Sequence, residues 1–90
     1  VQPLRHVVEL AHRHGVPVHA DAVQAVGQLP VDFAASGLDA LTVSGHKLGA
    51  PVGIGALLAR RDLRLAPLTH GGGQERGVRS GTVDVVGARA

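Results

Sequence analysis

Leu38-Asp39-Ala40-Leu41-Thr42-Val43-Ser44-Gly45-His46-Lys47 is the stretch that decides the fold. Apart from Asp39, residues 38–43 are apolar on both faces of a strand, which predicts a sheet covered on two sides. The strand runs into a turn that carries a lysine. An ammonium is strongly hydrated and prefers to keep its water, so a sheet mouth is an unusual place for one. With His46 beside it and glycines around it, Lys47 can be partly desolvated, which favours the neutral amine; alone it reads as a surface-loop lysine. A neutral lysine amine can form a Schiff base with an aldehyde.

Upstream, Val16–Ala20 reads as a short valine-rich strand, with Pro17 near its start, and it ends at Asp21. Ligands of open α/β sheets bind outside the carboxyl ends of the strands, so Asp21 and Lys47 can face one crevice. Two readings of the pair stand side by side. One is a plain ion pair. The other is a pyridoxal phosphate site, in which the carboxylate pairs with the pyridinium nitrogen and the lysine holds the aldehyde. Gln24, three residues after Asp21, falls on the same side of a helical turn and can donate to the cofactor's phenolic oxygen; alone it reads as an exposed glutamine. Ser44 and His46 offer hydroxyl and imidazole donors for a phosphate. Alone, they read as a hydroxyl satisfied by backbone and a structural histidine.

The rest of the chain supports an α/β reading. Pro3–His14 has apolar residues at helical spacing (Leu4, Val7, Val8, Ala11), and Gly15 is placed as its C-terminal cap. Ala22–Val26 reads as one helical turn, and Asp32–Ser36 as a short helix closed by Gly37. Ile54–Ala59 is a third strand. The link from the second strand is too short for a helical crossover, so the third is expected to run antiparallel. Gly49, Pro51, Gly53 and Gly55 lie in that link, where backbone can approach a ligand closely. His70–Thr82 reads as one long polar loop, and Thr82 as the N-cap of a helix from Val83.

Composition narrows the classes. The 90 residues carry a net charge of +2, one aromatic (Phe33) and no cysteine. Scattered arginines without stacking aromatics argue against a nucleic-acid platform. Without cysteine there is no disulfide framework, thiolate metal site or thiol nucleophile in these residues. His12 and His14 lack a metal-ligand spacing, so no metal is expected. No stretch is apolar for long enough to span a bilayer and no signal peptide is visible; the expected location is cytoplasmic. So few large side chains make a poor independent core. With a start at Val1 and a stop inside an incipient helix, the chain is expected to be an internal fragment.

Taken together, five blocks closely resemble the cysteine desulfurase family: His19-Ala20-Asp21-Ala22-Val23-Gln24, Ser44-Gly45-His46-Lys47, Gly53-Ile54-Gly55-Ala56-Leu57, His70-Gly71-Gly72-Gly73-Gln74-Glu75-Arg76-Gly77 and Arg79-Ser80-Gly81-Thr82. These are fold-type I pyridoxal phosphate enzymes of the class V aminotransferase group. The resemblance implies that residues 1–90 are part of the large, cofactor-binding domain, a mostly parallel sheet with one antiparallel strand, with no second domain. It implies Lys47 as the Schiff-base lysine and proton shuttle, Asp21 as the pyridinium partner, Gln24 at the phenolic oxygen, and Ser44 and His46 at the phosphate. It implies that Thr82 reaches the cofactor phosphate of the neighbouring subunit, hence a homodimer with shared sites. It implies L-cysteine as substrate, L-alanine as product and a sulfur acceptor protein. The family often has Gly-Pro-Lys-Gly where this chain has Gly49-Ala50-Pro51-Val52-Gly53. The family's nucleophilic cysteine, ring-stacking histidine and carboxylate-binding arginine lie outside these residues. A selenocysteine lyase, an aminotransferase or a non-catalytic fragment is the alternative on the same scaffold.

Overall fold

The computed structural model describes residues 2–90; Val1, the first residue of the expected unit, lies outside the described residues. The first helix, α1 (Leu4–Arg13), follows Pro3 and ends as the glycine predicts. Gly15 takes a left-handed φ of 68°. Its N–H donates to His12 O at 3.0 Å, while Val16 N–H reaches back to Ala11 O at 3.0 Å. This paired closure satisfies two carbonyls that the helix end would otherwise leave open.

Strand β1 is His19–Asp21, shorter and later than the expected Val16–Ala20. The reason lies in the donors. Val16 N–H is spent on the helix end, Pro17 has none, and Val18 N–H donates to Asp39 Oδ2 at 2.7 Å. The parallel ladder with β2 (Ala40–Ser44) therefore begins with His19 opposite Ala40 and ends with Asp21 opposite Thr42. Residues 22–39 make the crossover. Ala22–Leu29 forms successive tight turns, and α2 (Phe33–Ser36) is capped by Asp32, whose Oδ1 accepts Ala35 N–H at 2.9 Å. Gly37 ends α2 with φ 73°.

After β2 the chain makes a 3-10 turn, Gly45–Leu48, and returns as β3 (Gly55–Ala59). β3 is antiparallel to β2, with Ser44 opposite Gly55 and Ala40 opposite Ala59, as the short link predicts. The sheet order is β1-β2-β3. Val8 of α1, Ala22, Leu38 and Leu41 form the buried core, with Val18, Ala20, Phe33 and Val43 packed on it. Paired residues share a face, so Ala20, Leu41 and Val43 look into this core while Asp21, Thr42 and Ser44 lie on the other face. The core is thin. Leu4, Val7 and Leu10 of the α1 stripe stay exposed, as do Leu57 and Leu58 of β3.

Residues 70–82 are not the single loop expected. Gly73–Gln74 (β4) and Arg79–Ser80 (β5) pair antiparallel around a 3-10 turn at Glu75–Gly77. Two-residue strands leave no apolar alternation to read, and backbone bonds such as Gly81 N–H to Gly72 O (2.9 Å) make the structure. The last helix, α3 (Val85–Arg89), is capped by Asp84 and not by Thr82. Asp84 Oδ1 accepts Gly87 N–H at 3.0 Å, while the Thr82 carbonyl is taken by Arg79.

Candidate functional site

The structure places the expected site residues in two neighbouring groups and one outlier. Asp21 ends β1, and Gln24 follows on the turn after it; both are exposed. Asp21 Oδ1 accepts Val23 N–H at 2.9 Å, which fixes the carboxylate against its own turn. Both residues help to wall a groove of about 670 Å³ whose other lining is largely apolar, including Leu4, Leu29, Leu38 and Leu41. Ser44, His46 and Lys47 lie outside that groove, Ser44 at the end of β2 and the other two on the 3-10 turn that follows it.

Backbone pairing brings the two groups side by side. β1 and β2 are parallel neighbours, so Asp21 and the 45–48 turn both lie at the carboxyl end of the sheet. Ala22 N–H donates to Thr42 O at 2.9 Å and carries the parallel pairing one residue beyond Asp21. On the same face the His19 ring and the Thr42 hydroxyl are hydrogen-bonded at 2.7 Å, a cross-strand tie that the sequence reading did not single out. Among the described residues, no ion pair joins Asp21 to Lys47. The plain ion-pair reading therefore has no contact behind it.

Ser44 sits at the cap position of the 3-10 turn, yet its side chain caps no backbone group. Its hydroxyl is hydrogen-bonded at 2.6 Å to Nδ1 of His46. That removes the reading of Ser44 as a hydroxyl satisfied by backbone. With the serine hydroxyl donating to Nδ1, His46 Nε2–H remains as a donor for a further partner such as an anion. Lys47 is exposed. The expected desolvation is thus not provided by the described residues, because nothing among them covers the ammonium.

The position of the turn is set by close backbone packing. Gly45 N–H donates to Ile54 O at 2.8 Å, and Ala50 N–H to Gly45 O at 3.0 Å. A Cβ on Gly45 would meet Ala50 Cβ at 3.0 Å and Ile54 Cγ2 at 3.2 Å. Ile54 also packs against α3, where a Cβ on Gly87 would come within 2.5 Å of its Cγ1. Gly45, Ile54 and Gly87 thus hold the lysine turn. In the sequence, Gly45 and Ile54 stand within the blocks that resemble the family, and Gly87 carries no signal. Thr82 stands apart on the exposed exit of β5, and among the described residues no hydrogen bond links it to the other five.

A different cluster closes the opposite end of the sheet. Asp39, just before β2, accepts from His12 Nε2 and Val18 N–H, both at 2.7 Å, and lies 3.7 Å from Arg60 after β3. The hydrogen bond from His12, then that from Val18, holds the Asp39 carboxyl below its ordinary value. Arg60 forks onto Asp62 at 2.9 and 3.1 Å, which pushes the guanidinium further up and the Asp62 carboxyl down.

Comparison with known proteins gives a consistent picture. The family model for class-V aminotransferases matches residues 1–88. The chain is 59% identical over 88 residues to an IscS-like cysteine desulfurase of Mycobacterium tuberculosis, covering 98% of this chain and 22% of that protein. It is 49% identical over 85 residues to a probable mitochondrial cysteine desulfurase of Dictyostelium discoideum, covering 92% and 19%. Among solved structures, a NifS-like protein from Rickettsia africae superposes with a TM-score of 0.91 at 37% identity, covering 97% of this chain and 24% of that one. The chain therefore spans about a fifth of the length of the curated relatives it matches.

Proposed function

The chain belongs to the class-V aminotransferase family, and on that premise we propose that it is part of a pyridoxal phosphate-dependent cysteine desulfurase. The whole protein would convert L-cysteine to L-alanine and leave the sulfur as a persulfide on a cysteine of its own, for delivery to an acceptor protein. These 90 residues contain no cysteine, so the sulfur-accepting thiol belongs to another part of that protein. The observation that supports the reading is the parallel β1–β2 pairing, which sets Asp21 opposite Thr42 at the end of the sheet from which the Gly45–Leu48 turn leaves.

The donor set fits the cofactor. A carboxylate suits a protonated ring nitrogen, an amide suits a phenolate, a hydroxyl and an imidazole suit a phosphate, and a primary amine suits an aldehyde. When bound, the cofactor supplies an aldehyde that takes up amines and a ring that accepts electrons from the substrate carbon. Asp21, fixed by Val23 N–H, holds the proton on the ring nitrogen. Gln24 orients the phenolic oxygen. Ser44 and His46 act as one hydrogen-bonded unit at the phosphate, and Lys47 carries protons to and from the substrate carbon. Thr82 serves the phosphate of the neighbouring subunit, which makes the working unit a homodimer. No described helix is long and apolar enough to cross a membrane, and we place the protein in the cytoplasm.

The test is alanine release from L-cysteine by the full-length protein, with cofactor and a reductant present. Alanine formed in step with sulfide supports the desulfurase reading. No alanine from a cofactor-loaded protein overturns it and leaves another reaction of the same family.

A further inference from the structure

Arg79 is exposed on β5, opposite Gln74. Among the described residues it forms no ion pair. Its Nη1 instead donates to two successive carbonyls, Gly81 O at 2.8 Å and Thr82 O at 3.2 Å. Those carbonyls belong to the two peptide planes that flank Thr82. Holding both planes on one rigid guanidinium fixes the two backbone angles of Thr82, and with them the direction of its side chain. The segment is tied from the other side as well. Gly81 has a left-handed φ of 90°, and its N–H donates to Gly72 O at 2.9 Å across the β4–β5 ladder. The Thr82 hydroxyl takes no part in this bracing.

We propose that Arg79 is a positioning residue that aims Thr82 at the cofactor phosphate. This rests on the reading of Thr82 given above. Its contribution comes through the two-carbonyl clamp and not through its charge. Both bonds leave from one nitrogen, Nη1, so the clamp depends on where that nitrogen sits; a lysine keeps the charge but ends in a shorter stem and a tetrahedral ammonium, so it is not an equivalent replacement.

The test uses the full-length protein and the dissociation constant of pyridoxal phosphate, read from cofactor absorbance on reconstitution of the apoprotein. Loss of one hydrogen bond to a charged group is expected to weaken cofactor binding about tenfold in Thr82→Ala. Arg79→Gln and Arg79→Lys are each expected to weaken it by a similar factor, and Arg79→Gln is expected to add nothing in the Thr82→Ala background. Hydrogen exchange across residues 80–84 is expected to rise in both Arg79 variants at unchanged oligomer mass. Wild-type affinity in Arg79→Lys with loss in Arg79→Gln would make the effect one of charge and overturn the clamp. Additive losses in the double variant overturn it as well. Loss in Thr82→Ala but not in Arg79→Gln refutes this inference alone. Unchanged affinity in Thr82→Ala refutes the phosphate role of Thr82, and this inference with it.

Discussion

Replacing Asp39 should loosen the amino end of the sheet by an amount that depends on what replaces it. The carboxylate is largely buried, with 13% of its side chain exposed, and one oxygen serves both Val18 N–H and His12. Asp39→Ala leaves the half-buried Val18 amide without its acceptor, which costs roughly 1–3 kcal/mol. The His12 contact, on a ring 37% exposed, adds about 0–1 kcal/mol. Asp39→Asn keeps an oxygen for Val18 and loses only the charge, so it should cost less than alanine. The assay is amide exchange at Val18 in the full-length protein, corrected for intrinsic rates. Asp39→Ala should speed it by roughly 5- to 150-fold, the Val18 contribution alone expressed as a ratio. The pH dependence has a fixed sign. The carboxyl is held below its ordinary 3.8 in the folded chain, so its contribution is present above that value and is lost as pH falls through the lowered one. The gap between wild type and Asp39→Asn should therefore shrink in acid. Unchanged Val18 exchange in Asp39→Ala, or a gap that widens on acidification, would refute the reasoning.

Lys47→Ala should abolish reductive trapping of pyridoxal phosphate by the full-length protein and remove turnover; borohydride labelling followed by peptide mapping checks it, and retained trapping at another lysine would contradict it. Asp21→Ala should leave cofactor bound but the protein nearly inert, since the ring nitrogen loses the partner that keeps it protonated; near-normal alanine release would count against the assignment. Gly55→Ala would put a Cβ 2.8 Å from Val43 O, forcing β3 away from β2 at a cost of roughly 1–3 kcal/mol. A lowered melting temperature of the full-length protein, with weaker cofactor retention, is the expected result.

What was legible in the sequence was whatever is written in single residues or in short spacing. Gly15 and Gly37 stop two helices where expected, and Asp32 caps one. The short link after β2 gives the antiparallel return of β3. Strand β1 was misplaced because its boundary depends on Asp39, a residue distant in sequence, competing for Val18 N–H. The β4–β5 pair and the Asp84 cap were missed for a related reason. Each is decided by which backbone donor finds which acceptor, and no pattern of apolar residues records that choice. For the candidate site, the sequence offers residue types and not their surroundings. Lysine, aspartate and glutamine announce their chemistry by type. The exposure of Lys47 depends on what packs over it, and no local spacing encodes that.

The glycines between Ser44 and Gly55 show how geometry is transferred to Lys47. A lysine on a flexible loop would sample too much space to meet a carbonyl carbon in a fixed place. Here the loop is pinned at its base, where Gly45 donates to Ile54 O, and Ile54 is itself held between the 3-10 turn and Gly87 of α3. Each contact requires the missing side chain, since a Cβ on Gly45 or Gly87 would stand where Ile54 now packs. The antiparallel strand is what makes this possible. A parallel successor to β2 would leave by a long crossover and could not return Ile54 to the lysine turn. The antiparallel pairing of β2 with β3 is therefore the element that pins the base of the turn carrying Lys47.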